Sequence, residues 1–161
     1  MKVVERSRYN GHEIFETRRL TFTPYEYSEE NIHNVMNLIR DQLNPTILTP
    51  KYREENKNNP MFGHCYHSTQ ALYYLMNTNN LVPMSATDYR NDKHWWLQDG
   101  DKIYDITRDQ YYSVGENPPY EQGRPSKWYG WKQRPHQKSL KLIMSILDFV
   151  KSEYCYETIK P

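Results

Sequence analysis

Apolar positions along the chain fall into a few clear periods. From Ser28 to about Leu43, the residues Ile32, Val35, Met36, Ile39 and Leu43 recur at helical spacing, which predicts an amphipathic helix. Ser28 suits the N-cap, and Glu29 and Glu30 stand in the first turn, where the helix dipole favours acids. Asn44-Pro45 stops the run. A second helical period starts at Cys65: Cys65, Ser68, Thr69, Leu72, Leu75 and Met76 share one face until the polar break at 77–80. A third runs from about Gln137 to Tyr154, with Leu140, Ile143, Leu147 and Val150 as its stripe. One or two strands are predicted between Glu13 and Thr23, ending before Pro24. Another is predicted at Leu81–Thr87, where Pro83 favours an edge or first-residue position. Residues 1–10 are polar and read as loose. Residues 44–62 read as a connector rich in Asn, Pro and charge, and 115–130 as a Pro/Gly/aromatic loop.

The stretch Lys93–Thr107 places two β-prone runs on either side of Asp99-Gly100, and Asp-Gly between such runs is a strong hairpin signal. With Asp99 and Gly100 as a two-residue loop, Gln98 lies opposite Asp101, Trp96 opposite Ile103 and His94 opposite Asp105. A four-residue loop over 98–101 keeps that pairing; a three-residue loop breaks it. Opposed residues share a sheet face with Cβ atoms about 4.5–5.5 Å apart. The register therefore predicts that the Asp105 carboxylate holds the His94 imidazole. Trp95 and Trp96 point to opposite faces, which assigns Trp95 to the core and Trp96, on the His94 face, to the lining of a cleft.

Composition changes this picture little. The 161 residues suit a single domain over 1–161 that is long enough to bury a core. The mean hydropathy of −1.02 is low. Disorder also needs high net charge and few aromatics, whereas the charge here is +1 and aromatics make up 14%. That near-neutral balance speaks against a dedicated nucleic-acid binder. The longest apolar stretch, Leu140–Val150, is too short to span a membrane and carries Lys141 and Asp148. The amino terminus lacks the apolar run of a secretory signal, and two cysteines, Cys65 and Cys155, make no disulfide framework. A cytoplasmic protein with reduced thiols is expected, with a Cys65–Cys155 bridge left open.

Candidate chemistry centres on Cys65. The thiolate is the nucleophile of cysteine chemistry, and a helix N-terminus and a nearby imidazolium both favour it. His94 supplies the imidazole and Asp105 the group that orients it, which makes Cys65, His94 and Asp105 a candidate triad. The oxyanion of the reaction then falls to the backbone N–H of Cys65 and a second donor from the upstream connector, with Gln42, Asn44 and Asn59 as candidates. Against this stands the bland reading, in which a lone helical Cys is a small buried apolar residue.

The order of cysteine on a helix start, histidine on one strand and aspartate on the next resembles the transglutaminase-like branch of the papain-like fold. The local wording is similar to the small YunG-like bacterial and phage proteins. It is carried by Asn59-Pro60-Met61-Phe62-Gly63-His64-Cys65, by His94-Trp95-Trp96 and by Asp105-Ile106-Thr107-Arg108-Asp109-Gln110. The similarity covers about residues 43–112, with Lys127–Trp131 matching the family's later tryptophan/glycine region. It implies an α+β cysteine-hydrolase-like core, a Cys helix packed on an antiparallel sheet, and Cys65, His94 and Asp105 at the matching positions. Tyr66 and His67 stand where the family more usually has a small residue after the cysteine.

Two rival readings need weighing. His64, Cys65, His67 and His94 contain zinc-ligand chemistry, but residue 65 points about 100° away from 64 on a helix, and neither a CxxC nor an HxxxH pair anchors a site. His64 and His67 are read instead as polar residues on the outer side of the helix, at the cleft rim. Arg124–His136 interleaves basic and aromatic residues, a pattern used to stack single-stranded nucleic acid. The simpler reading is a surface loop pinned by Trp128 and Trp131. The reading reached is a cysteine-dependent hydrolase or acyltransferase acting on an amide or isopeptide bond of a peptide or protein substrate. It uses no cofactor and no metal, with neither membrane nor nucleic acid as partner. The alternative is a catalytically inert binding module of the same fold, holding a protein or single-stranded nucleic acid on its Tyr/Trp-rich basic loop. Substrate identity and oligomeric state are not written in the sequence.

Overall fold

The computed structural model describes residues 2–9, 12–19, 26–76, 78–130 and 135–159, with the backbone alone for 2–19 and 150–159. Strands β1 (Lys2–Tyr9) and β2 (His12–Arg19) form an antiparallel pair in which Tyr9 faces His12. The opening residues are therefore a strand rather than a loose segment. The sequence between the two strands is Asn10-Gly11, a strong hairpin dipeptide whose signal outweighs the polar character of the flanks. The expected strand at Glu13–Thr23 is met by β2, and residues 20–23 lie outside the described residues.

Helix α1 (Glu29–Gln42) starts where the sequence places it: the Ser28 hydroxyl accepts from the Asn31 N–H at 3.1 Å. Its stripe, Ile32, Val35, Met36 and Ile39, is buried. The connector is more ordered than its composition suggests. A 3-10 turn at Pro45–Ile47 leads into α2 (Pro50–Asn56), and proline stands at the start of each, where its missing N–H costs nothing. Gly63 then takes φ +84°. Its position admits no side chain, because a Cβ there would stand 2.9 Å from Leu48 Cδ2 and 3.1 Å from Tyr52 Cβ. Two residues later α3 (Cys65–Leu75) begins.

A four-stranded antiparallel sheet follows, in the order β5 (Lys102–Tyr104), β4 (Lys93–Asp99), β3 (Val82–Thr87), β6 (Arg124–Pro125). Pro83 sits second in β3. Helix α4 (Asp109–Tyr112) is a single turn after β5, and α5 (Gln137–Ile159) closes the chain. The core gathers α1, α3 and α5 over one face of the sheet: Ile32, Ile39, Leu72, Leu75, Leu140 and Ile143 pack with Trp95, Leu97, Tyr104 and Ile106. Val150, the last member of the predicted α5 stripe, has no described side chain. The opposite face of β4 is also covered, by the loop 115–130, so His94, Trp95, Trp96 and Leu97 are all buried. The result is an α+β fold in which a cysteine helix packs on an antiparallel sheet. Among the described residues no helix is long and apolar enough to cross a membrane.

The hairpin differs from expectation by one step. Asp99 pairs with Lys102, Gln98 with Ile103 and Leu97 with Tyr104, so the loop is Gly100-Asp101 rather than Asp99-Gly100. Only Gly100 has positive φ, +61°, the requirement of a turn with glycine at its first central position. Each residue's partner consequently moves by two. A shift of two preserves the facing of every side chain, so His94 and Asp105 stay on one face as diagonal neighbours.

Candidate active site

Cys65 is the first residue of α3, and among the described residues no side chain caps that end of the helix. Its own backbone N–H is one of the donors that a helix start leaves without an intrahelical partner. The thiol is free, half-buried, and donates to the Lys93 carbonyl at 3.7 Å, one residue before His94. It opens on a cleft of about 320 Å³ whose walls include Tyr52, Phe62, Gly63, Trp95, Gln110 and Tyr129.

His94 is fully buried, and its Nε2 is hydrogen-bonded to Asp105 Oδ2 at 2.6 Å. Its other nitrogen, Nδ1, is buried and has no hydrogen-bond partner among the described residues. Burial, the largest single influence, works against a charged ring. The charge and hydrogen bond of Asp105, together with the neighbouring Cys65, override it and raise the His94 pKa to about 10. The ring lies between Trp96, stacked at 5.8 Å, and Tyr111, edge-on at 4.8 Å, and the Tyr111 hydroxyl donates to Asp88 at 2.7 Å.

Asp105 is buried and held at three points. Besides His94, its Oδ2 accepts from the Tyr120 hydroxyl at 2.7 Å, and its Oδ1 accepts from the Thr107 N–H at 3.1 Å. The support continues outward. Gln110 Nε2 donates to Thr107 Oγ1 at 2.9 Å, and Asn59 Nδ2 donates to the Gln110 carbonyl at 2.8 Å. Thr107, Gln110 and Asn59 thus brace the carboxylate from behind, and each lies in a stretch that stands out in the sequence. Tyr120 was not legible in this way, because nothing in its local pattern points fifteen residues back to Asp105.

Several expectations need correction. Trp96 does not line the cleft. It is buried under Tyr120 and Gly123, and Trp95 borders the cleft instead, because both faces of β4 are covered and the opening lies towards the α3 side. His64 is not on the outer face of the helix. It is fully buried at the N-cap, neither ring nitrogen has a hydrogen-bond partner among the described residues, and burial lowers its pKa to about 4. His67 does reach the cleft and shares a hydrogen bond of 3.2 Å with Ser139. Burial, then the nearby His136, brings its pKa to about 3. Among the described residues no three His, Cys, Asp or Glu side chains are arranged to hold a metal ion.

Of the suggested oxyanion donors, Gln42 and Asn44 border a different hollow with Lys138 and Lys141, and the Asn59 amide is engaged with Gln110. Trp128 is buried and stacked on Trp95 at 5.4 Å, so it pins its loop rather than presenting a stacking face; Trp131 and Cys155 have no described side chains. Tyr66, the bulky residue after the cysteine, receives the Tyr129 N–H at 2.9 Å and stacks on that ring at 4.8 Å. Its size thus seats the loop that forms one cleft wall. Compared with known proteins, the chain matches no family model, no curated protein and no solved structure.

Proposed function

We propose that the protein is a cysteine-dependent hydrolase or acyltransferase acting on an amide or isopeptide bond, built on a papain/transglutaminase-like core. The observation that carries this reading is the buried His94–Asp105 hydrogen bond beside a free thiol that begins a helix and opens on a cleft. A merely structural cysteine needs neither the oriented imidazole nor the opening, and an inert binding module needs no groove at Cys65.

In the proposed cycle the resting site is a Cys65 thiolate beside a His94 imidazolium whose Nδ1 holds the proton, and the thiolate attacks the carbonyl carbon of the substrate. A C–S bond forms, the carbonyl π electrons move to oxygen, and the Cys65 N–H holds that oxyanion. Collapse breaks the C–N bond, and the leaving amine takes the proton from His94. Water then cleaves the thioester in hydrolysis, or an amine does so in acyl transfer. Asp105 keeps the ring in register and stabilises the imidazolium throughout.

The test begins with the thiol. At pH 6.5 a free cysteine is only about 1% thiolate, so alkylation by iodoacetamide should be fast in the wild type and fall by about tenfold or more in His94→Ala. With an amide or isopeptide substrate, Cys65→Ala and His94→Ala should abolish turnover while Asp105→Asn leaves a weak remainder. Full activity in Cys65→Ala, or unchanged alkylation in His94→Ala, would refute the mechanism.

A further inference from the structure

The Asp105 carboxylate divides its bonding in a way the proposed cycle does not use. One oxygen, Oδ2, accepts two short hydrogen bonds, from His94 Nε2 at 2.6 Å and from the Tyr120 hydroxyl at 2.7 Å. We propose that Tyr120 is a positioning residue of the site, tying the segment 117–123 to Asp105 and moderating how strongly that carboxylate holds the His94 proton. The inference rests on the reading of Cys65, His94 and Asp105 given above.

Three observations support it. Tyr120 is bound at both ends: its hydroxyl reaches Asp105, and its ring stands edge-on to Trp96 at 5.1 Å, which in turn stacks on His94. The segment is seated with no slack, since a Cβ at Gly123 would lie 2.4 Å from Trp96 Cζ2. Tyr120 also remains a donor at any ordinary pH, because burial and then the Asp105 charge push its ionisation far above the usual tyrosine range.

Of Tyr111 and Tyr120, the two tyrosines beside the pair, it is Tyr120 that binds the carboxylate. The ionisable groups facing His94 are Asp105, Cys65 from α3 and Tyr111 from α4, and Tyr111 directs its hydroxyl to Asp88. Those acting on Tyr120 are Asp105, Tyr112 and Arg108. A carboxylate oxygen that serves two donors gives each a weaker bond than it gives one. Without the Tyr120 hydroxyl, His94 receives the undivided acceptor and should hold its proton more tightly. A residue that only filled space would leave the pair's electronics unchanged.

The experiment is NMR of the His94 ring in the full chain carrying Cys65→Ala, which removes the thiol from the titration. Tyr120→Phe keeps the ring against Trp96. It should move the Nε2–H resonance downfield and raise the His94 titration midpoint by about half a pH unit or more; Asp105→Asn should move both the other way. If the midpoint lies above the pH at which the chain unfolds, the resonance position decides. An unmoved or upfield resonance in Tyr120→Phe overturns the proposal. Should that variant fail to fold, 3-fluorotyrosine placed at position 120 supplies a stronger donor and must shift the resonance upfield; no shift overturns the proposal. Thiol alkylation in His94→Ala reports separately on the reading beneath it. A silent Tyr120→Phe beside a His94-dependent thiol sinks the Tyr120 inference alone.

Discussion

Gly123→Ala is the sharpest test of how the His94 side of the sheet is packed. The backbone at Gly123 has φ −61° and ψ 137°, which alanine adopts freely. Conformational entropy alone therefore favours the substitution by about 0.4–1 kcal/mol. Sterics oppose it. The new methyl would stand 2.4 and 2.8 Å from two Trp96 ring atoms and 3.0 Å from the Tyr120 carbonyl oxygen. Trp96 has nowhere to go, being fully buried between His94 and Tyr120. Overpacking of this kind costs about 1–3 kcal/mol, and contacts this short belong to the upper part of that range. The steric cost wins, leaving a net destabilisation of about 1–2 kcal/mol. For a chain of this size the melting temperature should fall by about 2–8 °C, read by calorimetry. Trp96→Phe makes room for the methyl, so Trp96→Phe and Gly123→Ala together should cost less than the sum of the two, with a coupling of about 0.5 kcal/mol or more. An unchanged melting temperature in Gly123→Ala, or strict additivity in the pair, would show that the Trp96–Gly123 contact is not the constraint described.

Stability should peak near pH 6.5 in thermal or urea melts across pH. The raised pKa of His94, about 10, gives stability that is complete below the ordinary histidine value and is lost as pH climbs from about 6.5 to 10, because the folded chain keeps a proton the unfolded chain releases. His64 at about 4 and His67 at about 3 act in the opposite sense, costing stability as pH falls below 6.5, because the unfolded chain takes up protons that the buried rings refuse. His94→Gln should flatten the alkaline arm alone; an arm that survives would assign it to another group. Ser28→Ala should cost about 1 kcal/mol, a fall of about 2–4 °C in melting temperature, by removing the acceptor for the Asn31 N–H. No loss there would mean that solvent serves the helix start equally well.

What the sequence made legible was what repeats locally. The helical stripes of α1 and α3 and the Ser28 cap follow from spacings of three and four residues, and the structure keeps them. The His94–Asp105 pair was also readable, because a period of two survives a register shift of two. The shift itself was not, since Asp99-Gly100-Asp101 contains overlapping turn signals and the choice lies in strand twist. Helix α2 hid in a Pro- and Asn-rich connector because a single short helix shows no period. Tyr120 was missed because its partner lies fifteen residues back along the chain, and His64 because no local rule separates a buried histidine from a rim histidine.

The anchoring of the loop at both ends has an evolutionary corollary. Tyr111 is fixed through Asp88, and Pro118 and Pro119 are buried beside Tyr120, whereas residues 112–117 between them are all exposed. Gly115, near the middle of that arc with φ +75°, faces open space. Changes of length there leave the fastened ends in place, since an exposed arc imposes little closure cost for each added residue. The chain thus carries, a short distance from its most constrained side chains, a stretch where new sequence can be tried without disturbing them. Insertions at that arc should therefore leave the His94–Asp105 contact in place.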